Sequence, residues 1–344
     1  MISRLELLKA FKTLLPGVDS TNPTTMSDIF IFDGRWVKTG NNKLSISYPF
    51  PSDTGISGGV KAKELYKILA KMTDETVEME NVESTIIIKD RITNLTLNLI
   101  QDETTDRIIR NKKLQRIAWE KIPENFCKCL MLCMFSTSSD QNSGVWNTVY
   151  INGKDMVSTD NVRVSWAKLD KKMPEFMLPV SSIVEVLKME PNNYFIDSAW
   201  AHFQNEKNGI ILSTRLVIGE YPIDDLKVLF DKETDAKEYV FPEDLQKSLS
   251  RVSVLSYKDG YIDLYYDDKN GYLIVKGERE FASIKDKIKI SRGTFPVKKR
   301  LHIAPDFLID ILPKTKNFKL AGNVILFEIE NYKHIIALYI PDKE

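Results

Sequence analysis

The sequence predicts an α+β chain of three similar units, on three observations. One apolar pattern recurs at spacings of 118 and then 125 residues, a strand-rich run follows each copy, and a helix opens each unit. The copies are GGVKAKELYKILAKM from Gly58, EFMLPVSSIVEVLKM from Glu175 and KRLHIAPDFLIDILP from Lys299. They align Val60 with Leu178 and Ile303, then Leu65 with Ile183 and Leu308. Ile68, Val186 and Ile311 form the next column, and Leu69, Leu187 and Leu312 the last. Each reads as a strand end entering an amphipathic helix, apolar at i, i+3 and i+4.

The runs that follow are VEMENVESTIIIKDRITNLTLNLI, YFIDSAWAHFQNEKNGIILSTRLV and FKLAGNVILFEIENYKHIIALYI, strand patterns broken by turn residues. The opening helices are SRLELLKAFKTLL, PENFCKCLMLCMFS and PEDLQKSLSRVSVLS, the last two with Pro-Glu expected in the first turn. This order divides the chain at 1–121, 122–236 and 237–344, each of ordinary domain size.

With 344 residues, the chain exceeds what one core usually organises. Its 43% hydrophobic and 28% charged residues are the balance of a soluble globular protein. No apolar run approaches the ~20 residues that span a bilayer. The start, MISRLELLKAFK, mixes charges with apolar residues and is not a signal peptide. The expectation is a cytoplasmic protein without a membrane partner. Cys127, Cys129 and Cys133 share one helical stretch with no histidine nearby, so buried thiols are expected rather than a metal site. The 48 basic and 48 acidic residues exclude a blanket of positive charge. The three units hold 18 basic against 16 acidic residues, 11 against 16, and 19 against 16.

Catalytic patterns are missing. GISGGVKAK lacks the second half of a phosphate loop, and neither a G-x-S-x-G elbow nor H-E-x-x-H occurs. His202, His302 and His334 fall one to a strand-like segment and are expected to be structural. Asp263, Asp267 and Asp268 precede Asn270-Gly271, but YYDDKNGYLIV reads as a hairpin with a type I′ turn rather than a calcium loop. No enzyme activity, metal or cofactor is expected.

Four segments carry a family resemblance. VSTDNVRVSW, from Val157, resembles the V-A-T-D-G-H-R-L-A segment of bacterial DNA polymerase III beta subunits, the sliding clamps. ILSTRLVIGEYPIDDLKVLF resembles their F-x-S-K-L-[IV]-x-G-x-F-P-D-Y-x-x-V, and FPEDLQKSLSRVSVLS their third-domain opening helix. ALYIPDKE stands where the family ends in [ML]-P-[MVI]-[RK]. The resemblance implies three clamp domains with helices lining a hole and antiparallel sheets outside. Two chains would close head to tail as a homodimeric ring around duplex DNA, a processivity factor that binds without regard to sequence. It implies partners: a DNA polymerase, an ATP-dependent clamp loader, and other proteins carrying clamp-binding peptides.

The resemblance also implies sites. A peptide groove would be lined by Thr159, Asn161, Val162, Arg163 and Val164, floored by Trp146, and walled by Pro222, Lys227 and Val228. Leu338, Ile340, Pro341 and Lys343 would close it. Lys9, Lys12, Lys67, Lys71, Lys128, Lys188, Lys247 and Arg251 would face DNA. Leu95 and Leu97 would meet Val254 and Leu255 of a partner across the ring junction. Asn161 stands where the family has glycine, Val162 where it has histidine, and Asp342 where an apolar residue is usual. Such departures fit a diverged member, as a phage- or plasmid-encoded clamp would be. Two other readings are a monomeric clamp-fold adaptor for peptides, and a nucleic-acid enzyme holding metal on Asp263 and Asp267.

Overall fold

Each aligned copy enters a helix from a strand, as its apolar columns require. A computed structural model describes residues 1–19, 27–50, 53–103, 105, 108, 117–231, 237–257, 260–297 and 299–341. Its helices include α1 (Arg4–Leu14), α2 (Ala62–Lys71), α3 (Phe126–Met134), α4 (Val180–Met189), α5 (Ile223–Asp231), α6 (Leu245–Val252) and α7 (Pro305–Ile311). Strands Ser57–Lys61, Arg163–Pro179 and Arg300–Ile303 lead into α2, α4 and α7. Val60, Leu178 and Ile303 are buried, as are Leu65, Ile183 and Leu308, while Ile68 and Leu187 are half-buried at the helix flanks. No described helix is long and apolar enough to cross a membrane.

The chain forms two compact units. The first comprises Met1–Glu124 and Leu178–Val217. Its larger sheet has eight antiparallel strands in the order Ser57–Lys61, Ile29–Asp33, Trp36–Gly40, Leu44–Pro49, Ile211–Arg215, Trp200–Gln204, Asn193–Ile196 and Glu120–Lys121. Its smaller sheet runs Ile2–Ser3, Thr76–Val82, Thr85–Lys89, Asn94–Asn98. Helices α1 and α2 pack together, and Phe11 stacks on Phe30 with centroids 5.0 Å apart while meeting Phe32 edge-on. Each such fully buried ring contributes about 1.5–3 kcal/mol through burial.

The second unit comprises Asn125–Met177 and Ile218–Glu344. Its six-stranded sheet runs Thr148–Thr159, Arg163–Pro179, Tyr332–Ala337, Val324–Ile329, Asn317–Ala321, Glu238–Val240. Its four-stranded sheet runs Ala282–Lys289, Tyr272–Arg279, Ile262–Asp267, Arg300–Ile303. Phe241 stacks on Phe318 at 4.0 Å, with Phe295 and Phe327 alongside. Each unit therefore takes part of the 122–236 repeat, because the sheets continue through its backbone. Ile46 pairs with Leu212 in the first unit and Arg163 with Ile336 in the second.

Three local expectations are corrected. Helices α3 and α6 begin at Phe126 and Leu245, leaving Pro123-Glu124 and Pro242-Glu243 in the turn before; the Leu245 N–H donates to the Pro242 carbonyl there. The Asn270-Gly271 hairpin forms, but as a four-residue loop rather than a two-residue type I′ turn. Asp267 pairs with Tyr272, its carbonyl accepts the Gly271 N–H at 2.8 Å, and its carboxylate accepts Asn270 Nδ2 at 2.8 Å. Those bonds favour a helical turn before Gly271, which alone of the pair has a positive φ, 69°. Cys129 and Cys133 are buried, with burial raising the Cys129 thiol to about 11, but Cys127 is half-exposed.

His334, in the six-stranded sheet, is fully buried. Its Nδ1 lies 3.0 Å from Ser165 Oγ, which is 2.9 Å from the Tyr332 hydroxyl. Burial, and then the Arg163 guanidinium, hold its pKa down at about 3. The unfolded imidazole, near 6.5, therefore takes up a proton first, so stability is lost as pH falls from 6.5 toward 3. Between about pH 7.5 and 5 this residue removes about 2 kcal/mol of unfolding free energy. Denaturant titrations of His334→Gln should show a pH dependence smaller by that amount; an unchanged profile would mean that the imidazole charges inside the fold.

Candidate functional site

Asp160 builds the turn between strands Thr148–Thr159 and Arg163–Pro179. Its Oδ1 accepts the Val162 and Arg163 N–H groups at 3.0 and 2.9 Å, and its Oδ2 accepts Arg163 Nε at 3.0 Å. Asn161 adopts φ 73°. That conformation brings a Cβ against the following carbonyl, and asparagine tolerates it better than most residues. Asn161 thus meets the backbone demand of a glycine position. Arg163 turns inward: Nη1 donates to Asp310 Oδ2 on α7 at 2.8 Å, and the guanidinium lies 4.1 Å from the Phe307 ring. Only 12% exposed, this side chain staples the turn to α7 through charge-assisted hydrogen bonds.

The C-terminal segment lies beside that turn. Strand Tyr332–Ala337 pairs antiparallel with Arg163–Ala167, and the Ala337 N–H donates to the Val162 carbonyl at 2.8 Å. Beyond it, the Leu338 N–H reaches the Asn323 carbonyl and the Tyr339 N–H the His302 carbonyl, both at 2.8 Å. Val162 is 44% and Ile340 66% exposed. Leu338 is buried and Pro341 half-buried; Lys343 and Asp342 lie outside the described residues. Thr159 and Val164 do not offer side chains to a surface, because both are buried. Val164 sits on a strand paired at both edges, and Thr159 Oγ1 turns in to accept the Asn161 N–H at 3.1 Å.

Trp146 and Pro222 come together around Tyr221. Half-buried Trp146, in the 3-10 turn Gly144–Asn147, has its ring 6.4 Å from that of Tyr221, which stacks on Tyr150 at 4.8 Å. Burial pushes the Tyr221 hydroxyl up, and it faces the Thr159 main chain without closing a hydrogen bond. Pro222 leads into α5, whose Leu226 and Phe230 are buried, Phe230 edge-on to Trp166 at 5.5 Å. Lys227 and Val228 are consequently exposed, Lys227 beside Asp224 at 2.9 Å. Sequence reasoning missed Tyr150 and Tyr221; Tyr221 next to Pro222 was the available clue.

The basic residues separate into two groups. Lys9 and Lys12 on α1 and Lys188 on α4 line one hollow of about 570 Å³. Lys9, Lys12, Lys67 and Lys71 have no carboxylate at ion-pair distance among the described residues, whereas Lys188 pairs with Glu185 at 2.9 Å. In the second unit Lys128 lies 3.8 Å from Glu330, Lys247 3.5 Å from Asp244, and Arg251 2.5 Å from Asp286. Leu95 and Leu97 are half-buried on Asn94–Asn98, an unpaired edge of its sheet. Val254 is 76% exposed and Leu255 half-buried in a 3-10 turn that touches Tyr272–Arg279 and Ala282–Lys289, the latter an edge strand of the four-stranded sheet.

Asp263 and Asp267 do not converge. Four residues apart on one strand, their Cα atoms are roughly 13 Å distant. Buried Asp263 accepts the Tyr257 hydroxyl at 3.0 Å and lies 2.6 Å from His302 Nδ1. No group of three His, Cys, Asp or Glu able to hold a metal occurs among the described residues. His202 Nδ1 contacts Ser213 Oγ at 2.7 Å.

The Asn161 geometry is testable by unfolding. Asn161→Gly should keep or slightly raise stability, while Asn161→Ala should lower it by about 1 kcal/mol. Equal denaturant midpoints for the two variants would exclude a left-handed residue here.

No family model and no curated protein sequence matches the chain. Solved structures do. The beta subunit of the Streptococcus pyogenes DNA polymerase superposes with a TM-score of 0.81 at 17% identity, over 98% of each chain. The Pseudomonas aeruginosa sliding clamp (DNA polymerase III subunit beta), bound to griselimycin, gives 0.79 at 16%, over 99% of this chain and 98% of that one. The Helicobacter pylori beta clamp bound to a DNA ligase peptide gives 0.79 at 16%, over 98% and 99%. From end to end, this chain has the fold of the DNA polymerase III beta subunit, the sliding clamp.

Proposed function

We propose that this chain is a DNA sliding clamp, a non-enzymatic processivity factor that encircles duplex DNA and tethers a DNA polymerase and other peptide-bearing partners. The observation that carries this reading is the clamp fold over 98% of the sequence, with TM-scores reaching 0.81. Residues 1–121, 122–236 and 237–344 are its three domains, and an ATP-dependent clamp loader opens the ring in the cytoplasm. A ring retains DNA by topology, so it needs only weak attraction to phosphates and no base readout. Lys9, Lys12, Lys67 and Lys71, with no carboxylate at ion-pair distance among the described residues, supply that attraction, and Lys188 joins Lys9 and Lys12 at one hollow. Closure pairs the free edge Asn94–Asn98 with Ala282–Lys289 of a second copy, with Leu95 and Leu97 against Val254 and Leu255. Partner peptides place apolar anchors on Trp146, Val162, Pro222, Val228 and Ile340. In this site Asn161 and Arg163 shape the wall from within, and Lys227 marks its charged margin.

Light scattering should give twice the chain mass of 39.5 kDa. After loading, the protein should stay on nicked circular DNA and leave once the circle is linearised. A monomer that still binds peptides would instead support the adaptor reading. Combined Lys9→Ala, Lys12→Ala and Lys188→Ala should lower the salt dependence of DNA association, with log K against log salt flattening by about 2–3. Removing the last five residues should weaken a polymerase C-terminal peptide by about tenfold; undiminished affinity would displace the site from this wall.

A further inference from the structure

The exposed end of the C-terminal segment is held by a stack of tyrosines. Tyr339 lies on Tyr261 with centroids 4.5 Å apart and planes inclined by 19°, and Tyr261 lies on Tyr257 at 4.6 Å and 14°. The Tyr257 hydroxyl donates to Asp263, which is 2% exposed and also faces His302 Nδ1 at 2.6 Å and Arg300 at 3.7 Å. His302 closes the arrangement, because its carbonyl accepts the Tyr339 N–H and its ring meets Tyr261 edge-on at 5.5 Å. Tyr339 is thus tied by its main chain to one edge strand, Arg300–Ile303, and by its ring to Tyr261, just before the neighbouring strand Ile262–Asp267. It is the last residue so fixed before Ile340, which is 66% exposed. Chain ends fray unless something ties them down.

We infer that Tyr257, Tyr261 and Tyr339, footed on Asp263, are positioning residues that hold the C-terminal wall of the peptide site in place for its partner. This rests on the peptide-site reading above. The stack sets where Ile340 stands relative to Val162, and the wall is formed before a peptide arrives. A preformed wall spares the ordering cost that a loose tail adds to binding. The ring faces, more than the Tyr339 hydroxyl, carry this role, so phenylalanine at 339 preserves it and alanine does not.

The test measures fluorescence anisotropy of a synthetic peptide with leucine and phenylalanine anchors, alongside hydrogen exchange of the Tyr339 amide. Tyr339 is 39% exposed, so its replacement leaves the fold intact. Tyr339→Ala should weaken the peptide about fivefold and lose amide protection, and Tyr339→Phe should stay within about twofold of the parent with protection kept. A Tyr339→Ala protein that binds as the parent does, with its amide still protected, overturns the inference. If the parent binds no such peptide, the site reading fails on its own account. Exchange then decides the stack: protection lost in Tyr339→Ala but kept in Tyr339→Phe supports it, and equal protection in both overturns it.

Discussion

Five residues of paired backbone, Arg163–Ala167 against Tyr332–Ile336, join the turn at Asp160 to the C-terminal segment. A buried strand edge left without partners would strand a row of amides, each costing about 1–3 kcal/mol. The middle repeat therefore cannot end its sheet where its sequence ends, and the third repeat completes it. The turn and the C-terminal part of the proposed peptide site follow from that pairing. Val162 joins the C-terminal strand because the Ala337 N–H donates to its carbonyl, and Val164 is buried because its strand is paired on both sides. The same rule operates in the first unit, where Leu44–Pro49 and Ile211–Arg215 share a ladder.

Much of this fold was legible in the sequence because its signals are local. The aligned columns that begin with Val60, Leu178 and Ile303 report burial where each strand enters its helix, and the hairpin at Asn270-Gly271 reports itself through a turn pair between strand patterns. Contacts between distant residues left no such trace. Arg163 bonds Asp310, 147 residues away, so a side chain that reads as a peptide contact is committed within the fold. Thr159 turned inward for a similar reason, since its hydroxyl serves the turn that it precedes. The four-residue loop at Asn270 went unread because Asp267 supplies capping bonds that the Asn-Gly pair does not announce. Tyr339 and Tyr261 alternate with neighbours of ordinary character, and only the crossing of the tail onto Arg300–Ile303 stacks them.

Zero net charge and the proposed DNA-encircling role are compatible once the charges are placed. Arg251, Lys247 and Lys188 each have an acid within 3.5 Å on the fold itself, which leaves Lys9, Lys12, Lys67 and Lys71 as the less compensated set. Exposed pairs of this kind contribute little stability, typically below about 1 kcal/mol. Their effect is to weaken attraction to phosphates. Loose attraction would suit the proposed ring, which has to move along DNA.

Two of the free sheet edges differ in a way that bears on the proposed pairing of copies. Ala282–Lys289 carries Lys285, Lys287 and Lys289 at alternate, exposed positions, whereas Asn94–Asn98 carries no charge. Two lysine-bearing edges brought together would set like charges opposite one another, which opposes their pairing. The neutral edge raises no such objection to either. In the proposed ring, charge thus disfavours the symmetrical lysine-edge dimer, which would leave the ring unclosed.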